Sequence, residues 1–173
     1  LTGEPLADPA DLRPLRRALV VKIDNHPDAV PQSGLNHTDI VFEENVEGWT
    51  RFAAVFHSQD SDPVGPIRSG RTQDINLLES LNKPLLLWSG GNGTVTRLNN
   101  GSELVKLSPN AANGPAGFYR ERSPSAPHNL YASPTEARDA QPTEIATPAP
   151  PIDSGPGTTA TGLPVPHGHP HRW

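Results

Sequence analysis

Runs of hydrophobic residues along the first two thirds of the chain have the length and the alternation of β-strands. The first run is β-branched, ends in polar residues and is typical of a buried strand. Gly48 and Trp49 separate the second run from the third, which indicates an antiparallel hairpin. Both faces of the third run are largely apolar, so we expect a central strand covered on both sides. Strands are predicted over residues 18–24, 39–44, 50–58, 85–88 and 104–107.

Helical spacing and capping signals appear between and after these strands. Apolar residues three to four positions apart predict a helix over 71–82, which Ser69 would cap. A short helix is predicted over 94–99, and Ser133-Pro-Thr-Glu136 predicts the start of a last helix. Residues 108–127 are expected to form a long loop. Together these elements predict an α/β (α+β) domain with a mixed or mainly antiparallel sheet and packed helices.

Composition divides the chain into two parts. Proline and glycine crowd residues 141–173, which carry too little apolar surface to offset the entropy of ordering them. We therefore expect a folded domain over 1–140 and a disordered low-complexity tail over 141–173. The formal charge is -5 without a basic run, which argues against nucleic-acid binding, and no segment is apolar enough to span a membrane. The chain has no cysteine, which excludes disulfides and thiol catalysis.

Polar side chains gather just beyond the ends of the predicted strands, where binding groups commonly lie. The segment from Gly65 to Arg71 is the most suggestive, because two arginines beside a serine at a helix start suit a phosphate or carboxylate. The alternative is that Arg68 and Arg71 form structural ion pairs with nearby glutamates. The candidate ligand-binding residues are Asp24, Asn25, His26, Arg51, Arg68, Ser69, Arg71, Ser89 and Asn129.

Histidines raise the possibilities of acid–base and metal chemistry. Pro127 restricts the backbone before His128, which could hold its imidazole for proton transfer, with Glu43 or Asp24 as the partner carboxylate. An equally good interpretation is a histidine that only seals the long loop. His26, His57 and His128 show no recognised metal-ligand spacing, so no metal and no cofactor are expected.

Ordered sequence blocks carry a resemblance to a known family. The blocks include Val21–Pro27, Pro31–Asn36, Asp39–Glu43, Val64–Ser69 and Ala126–Leu130. Over residues 1–140 the chain resembles the N-terminal domain of the YerB-like bacterial lipoproteins, a family of unknown function. The family's motif residues map onto Asp24, Asn25, His26, Glu43, Arg51, Arg68, Ser69, Ser89 and His128.

The resemblance implies export and attachment to the outer side of the cytoplasmic membrane, but no reaction. A lipid-bearing cysteine is absent from this chain, and the low-complexity tail stands where the family's second, C-terminal domain is expected. Our leading expectation is an extracytoplasmic domain that binds an anionic small molecule or envelope glycopolymer, with no nucleic-acid partner and membrane association only through a lipid anchor. A hydrolase of phosphoester or glycan bonds, with Glu43 and His128 as catalytic pair, and a protein-interaction module remain as alternatives.

Overall fold

A mixed five-stranded sheet forms the centre of the domain. A computed structural model of the chain describes residues 16–46, 48–110 and 117–141. The sheet has the order β2-β3-β1-β4-β5, with antiparallel pairs β2–β3 and β3–β1 and parallel pairs β1–β4 and β4–β5. The predicted mixed sheet and the hairpin are confirmed. The strands are β1 Leu19–Asp24, β2 Ile40–Val46, β3 Trp49–Phe56, β4 Leu85–Leu87 and β5 Val105–Leu107.

A second, two-stranded sheet was not predicted. Strand β6 (Phe118–Arg120) lies inside the segment expected to be a loop, and it pairs antiparallel with β7 (Leu130–Ala132). Three-residue strands are too short to show an alternating pattern, and β6 and β7 have no longer apolar run that would mark them. The small sheet attaches to the main fold through a backbone bridge between Val64 and Ala132.

Helices cover the main sheet, and one of them begins later than predicted. Ser69 does not cap α1, because its Oγ accepts a hydrogen bond from Arg51 Nη1, and the helix begins at Gln73 after Thr72. The predicted cap Ser133 is confirmed, because its side chain accepts a hydrogen bond from the first turn of α3, and Asn92, which was not predicted as a cap, does the same for α2. The helices are α1 Gln73–Leu78, α2 Gly93–Asn100 and α3 Pro134–Asp139, with 3-10 turns at Pro27–Ala29, Leu35–His37 and Glu79–Leu81.

Both faces of the sheet are packed, so β1 is buried along its whole length. One apolar cluster joins β1 side chains such as Val21 to β6, β7 and α3, and the other joins side chains such as Val20 to α1 and α2. The expectation that β3 is central and covered on both sides is confirmed, because Ala54 and Val55 lie in opposite clusters. Within the described part of the chain, no helix has the length and apolar character needed to cross a membrane. The predicted tail lies, except for residue 141, outside the described residues.

Candidate functional site

The buried carboxylate of Asp24, the last residue of β1, is the centre of a polar cluster. Its side chain is 4% exposed. One oxygen accepts a hydrogen bond from the backbone N–H of His26 at 3.1 Å. The other lies 2.7 Å from His128 Nδ1 and 3.1 Å from Arg68 Nε. Residues far apart in the chain therefore meet around one carboxylate.

The contact with Asp24 orients the ring of His128. An ionised carboxylate can only accept hydrogen bonds, so Nδ1 is the donor and the neutral ring has its lone pair on Nε2. The ring stacks on His26 with centroids 4.7 Å apart. The rings of His26 and Trp49 are also in contact, with centroids 4.8 Å apart, and Trp49 is 53% exposed at the start of β3. The two imidazoles and the indole thus form a row of rings.

Arg68 adds a positive charge to the cluster without being fully engaged by it. Its Nε is buried and close to Asp24, but the geometry does not align a hydrogen bond. The backbone of Arg68 is fixed, because its N–H donates to Lys22 O and its carbonyl accepts from Ser89 N–H. The terminal nitrogens make no hydrogen bond to another described residue, and the side chain is 24% exposed.

A buried ionic triad lies beneath the site, around a lysine two residues before Asp24 in β1. Lys22, on the same face of β1 as Asp24, is 0% exposed and donates to Glu44 and Asp74. Asp74 also accepts from the backbone N–H of Arg71. Burial raises the pKa of Glu44, although the charge of Lys22 partly opposes this effect. The triad ties β1, β2 and α1 together beneath the site.

Several predicted site residues are engaged elsewhere. Arg51 binds both the carbonyl and the hydroxyl oxygen of Ser69. Asn129 uses its amide within the small sheet region, accepting from Arg120 and donating to the carbonyl of Glu121. These contacts give Arg51 and Asn129 a structural role whatever else they do.

Glu43 and Asn25 form a separate group around a threonine. Thr50 Oγ1 donates to Glu43 at 2.6 Å and lies 2.6 Å from Asn25 Nδ2. The carboxylate in contact with His128 is therefore Asp24, the second of the two partners considered from the sequence. His57 is also apart from the cluster, since its contacts are with Asp39 and Arg16.

The sequence interpretation missed three residues that define the site. Lys22 lies inside the predicted first strand, and a lysine inside a buried strand is itself a signal that it needs buried partners. Asp28 follows the proline of a 3-10 turn, and its carboxylate lies 3.5 Å from His26 Nδ1. Trp49, predicted only to separate the second run from the third, is half-exposed beside the histidines.

One set of side chains in the cluster has the composition of a metal site. A ligand atom each from His26, Asp28 and His128 lie within 4.8 Å of one another. No geometric pattern in the sequence could have shown this, because the loops that carry them come from opposite ends of the domain.

Comparisons with known proteins agree with the resemblance found in the sequence. The family model "Protein of unknown function (DUF3048) N-terminal domain" matches residues 1–147. "Putative lipoprotein YerB" of Bacillus subtilis (strain 168) is 36% identical over 119 residues, which are 68% of this chain and 35% of that protein. The crystal structure of YerB protein from Bacillus subtilis matches with a TM-score of 0.63 and 34% identity, over 72% of this chain and 43% of that one. The chain thus spans less than half the length of these relatives, and it belongs to the DUF3048 family, matching its N-terminal domain.

Proposed function

We propose that this domain binds an anionic group of a cell-envelope glycopolymer at the cluster around Arg68. The observation that carries the proposal is the position of the Arg68 guanidinium. Its Nε lies 3.1 Å from the Asp24 carboxylate, while its terminal nitrogens have no partner among the described residues. A planar guanidinium with two open donors matches the two oxygens of a phosphate or carboxylate. Its fixed backbone reduces the entropy lost when a ligand binds.

The rings beside Arg68 support a sugar-containing ligand over a free inorganic anion. Trp49 presents about half of its surface to solvent and contacts His26. An exposed indole combines a flat apolar face with a polar edge, and the apolar face of a sugar ring can pack against it. The imidazole Nε2 atoms supply further hydrogen-bonding groups on the same row of rings. The proposal therefore combines a charge contact with a stacking contact.

The name of the relative, a lipoprotein, supports an envelope location for the full-length protein. We propose that the domain is held on the outer side of the cytoplasmic membrane by a lipid on the parent protein. Labelling of the full-length protein with an alkyne fatty acid in its own host tests this. A protein that stays unlabelled and cytosolic would contradict the location while leaving the binding proposal to its own experiment.

Isothermal titration against purified phosphate-containing envelope glycopolymer fragments tests the binding. Loss of a charge-assisted hydrogen bond costs about 1.5–3 kcal/mol, so Arg68→Gln is expected to weaken binding about tenfold or more. Arg97→Gln, which changes an exposed arginine of α2, is the matched control and is expected to bind normally. Arg71→Ala shows whether the second predicted arginine takes part. Unchanged affinity in Arg68→Gln would remove the proposal.

A hydrolase is the second candidate, because the structure places a carboxylate and an imidazole in direct contact. Asp24 fixes the tautomer of His128 and leaves Nε2 able to accept a proton from water. In this role His128 is the general base and Asp24 orients it, while Glu43 is engaged with Thr50. Incubation with the same glycopolymer fragments, followed by product analysis, tests this candidate. Turnover that survives in His128→Asn, or no turnover by the unaltered protein, would reject it.

A further inference from the structure

We infer that His26, Asp28 and His128 bind a divalent transition-metal ion of the zinc type. The three side chains come from the turn after β1 and from the loop before β7, and each brings one ligand atom to within 4.8 Å of the other two. The set contains two imidazole nitrogens and one carboxylate oxygen. This inference does not depend on the anion site proposed above.

The contact between Asp24 and His128 is the kind of support that metal-binding histidines receive in proteins. A ligating imidazole usually donates its other ring N–H to a carboxylate, which fixes the ring and makes it a better ligand. Here Asp24 accepts from Nδ1 at 2.7 Å, so the neutral ring keeps its lone pair on Nε2. Asp24 is itself held by the N–H of His26 and by the charge of Arg68.

The distance between His26 and Asp28 is compatible with a metal ion that displaces one local hydrogen bond. The backbone N–H of Asp28 donates to His26 Nδ1 at 3.2 Å, so an ion bound at this nitrogen must take the lone pair that now accepts this N–H. The Asp28 carboxylate lies 3.5 Å from the same nitrogen. Two ligands with bonds of 2.0–2.1 Å to a tetrahedral zinc are about 3.3 Å apart. The side chain of Asp28 is 70% exposed and is free to rotate, so it can close the small remaining distance.

The donor set decides the class of ion. Imidazole nitrogen suits zinc, copper, nickel and iron, whereas calcium and magnesium prefer all-oxygen sites. Three protein ligands leave a fourth position for water or for a ligand oxygen. The site is half-open to solvent, because His26 is about one third exposed. Zinc is therefore the probe, with cobalt as its spectroscopic substitute.

Metal titration of the full chain tests the inference. Residues His167, His169 and His171 alternate in the tail and offer competing nitrogens, so all titrations use a background in which these three are changed to Gln. We expect one zinc ion per chain by calorimetry and a visible Co²⁺ absorption band of a site with nitrogen ligands. His26→Ala and His128→Ala are expected to lower the affinity at least about tenfold, and Asp28→Asn to lower it less.

Two further variants separate a built site from chance binding. Asp24→Asn removes no ligand but is expected to weaken zinc binding about 10- to 100-fold, because it loosens the orientation of His128. His37→Ala, which removes an exposed histidine of another turn, is the control and is expected to bind zinc as before. Circular dichroism of each variant shows that the fold is kept.

Each remaining result overturns the inference. Zinc binding that is absent in the background protein, or unchanged in His128→Ala, contradicts the site. Binding that disappears only when the tail histidines are changed assigns the ion to the tail. The anion titrations use protein treated with a chelator and freed of metal, so failure of either proposal leaves the result for the other readable.

Discussion

Replacement of Lys22 by methionine tests the strongest electrostatic feature beneath the site. Lys22 is completely buried and contacts the carboxylates of Glu44 and Asp74, the latter at 2.7 Å. The variant keeps most of the apolar volume of the side chain but removes the cation that these two buried anions share. One oxygen of Glu44 already has no hydrogen bond to any described residue, so little else among these residues can compensate. We expect loss of folding stability, not only a local change.

The magnitude follows from burial. Removing one partner of a buried ion pair typically costs about 3–5 kcal/mol, because an uncompensated charge stays behind. Lys83→Met is the matched control, since Lys83 contacts Glu103 at the same 2.7 Å while its side chain is 55% exposed. Solvent screens such a pair, and we expect no measurable change in the free energy of unfolding of that variant. Urea unfolding followed by circular dichroism compares the two.

The pH dependence provides a second check on the same variant. Burial raises the pKa of Glu44 above 4.5, and without the attraction of Lys22 it should rise further. A carboxyl group whose pKa is higher in the folded than in the unfolded state stabilises the fold below its unfolded pKa and loses this contribution as pH rises through the folded pKa. Lys22→Met should therefore recover part of its lost stability as the pH falls from neutral through the raised pKa of Glu44. A variant as stable as Lys83→Met, or a deficit that does not change with pH, would refute the reasoning.

Three smaller predictions concern single positions. Burial lowers the pKa of His57 below 6.5, so protonation favours the unfolded chain as the pH falls through that value. In urea unfolding, His57→Leu should therefore lose less stability than the unaltered protein between about pH 7 and about pH 5.5. Gly65→Ala should lower the midpoint of thermal unfolding more than Gly48→Ala. Both glycines have a positive φ, but only at Gly65 would an added Cβ lie 2.6 Å from the ring of Tyr131. Equal effects of the two substitutions would argue against this clash. Ser133→Ala removes the cap of α3 and should lower the free energy of unfolding in urea by about 1 kcal/mol. An unchanged free energy of unfolding would show that the cap does not stabilise the helix.

Strong local patterns in the sequence identified the main sheet correctly. The apolar run that became β1 is buried on both faces, and its short length and β-branched residues favour a strand. The cap of α3 was also predicted, because Ser133 acts on an N–H group within the first turn of its own helix. Ser69 failed as a cap for a reason that no local pattern contains. Its hydroxyl is bound by Arg51, which reaches it from a neighbouring strand.

Some of the residues in the candidate site were predictable from the sequence, but others and the geometry were not. Position beyond a strand end pointed to Asp24, His26 and Arg68, and proline before His128 pointed to a fixed ring. Which carboxylate meets that ring depends on how the small sheet of β6 and β7 docks on the main sheet, and the sequence showed neither strand. The same missing information hid the grouping of Asp28 with the two imidazoles.

The hydrogen bond between Asp24 and His128 joins residues 104 positions apart. A ribosome or an export channel delivers the chain from its amino end, so the first half of this pair waits for almost the whole domain before its partner arrives. A molecule or ion that contacted both Asp24 and His128 could bind only the completed fold, and its binding would shift the folding equilibrium toward that fold. A ligand that contacted both residues would thereby link its own binding to maturation of the nascent chain.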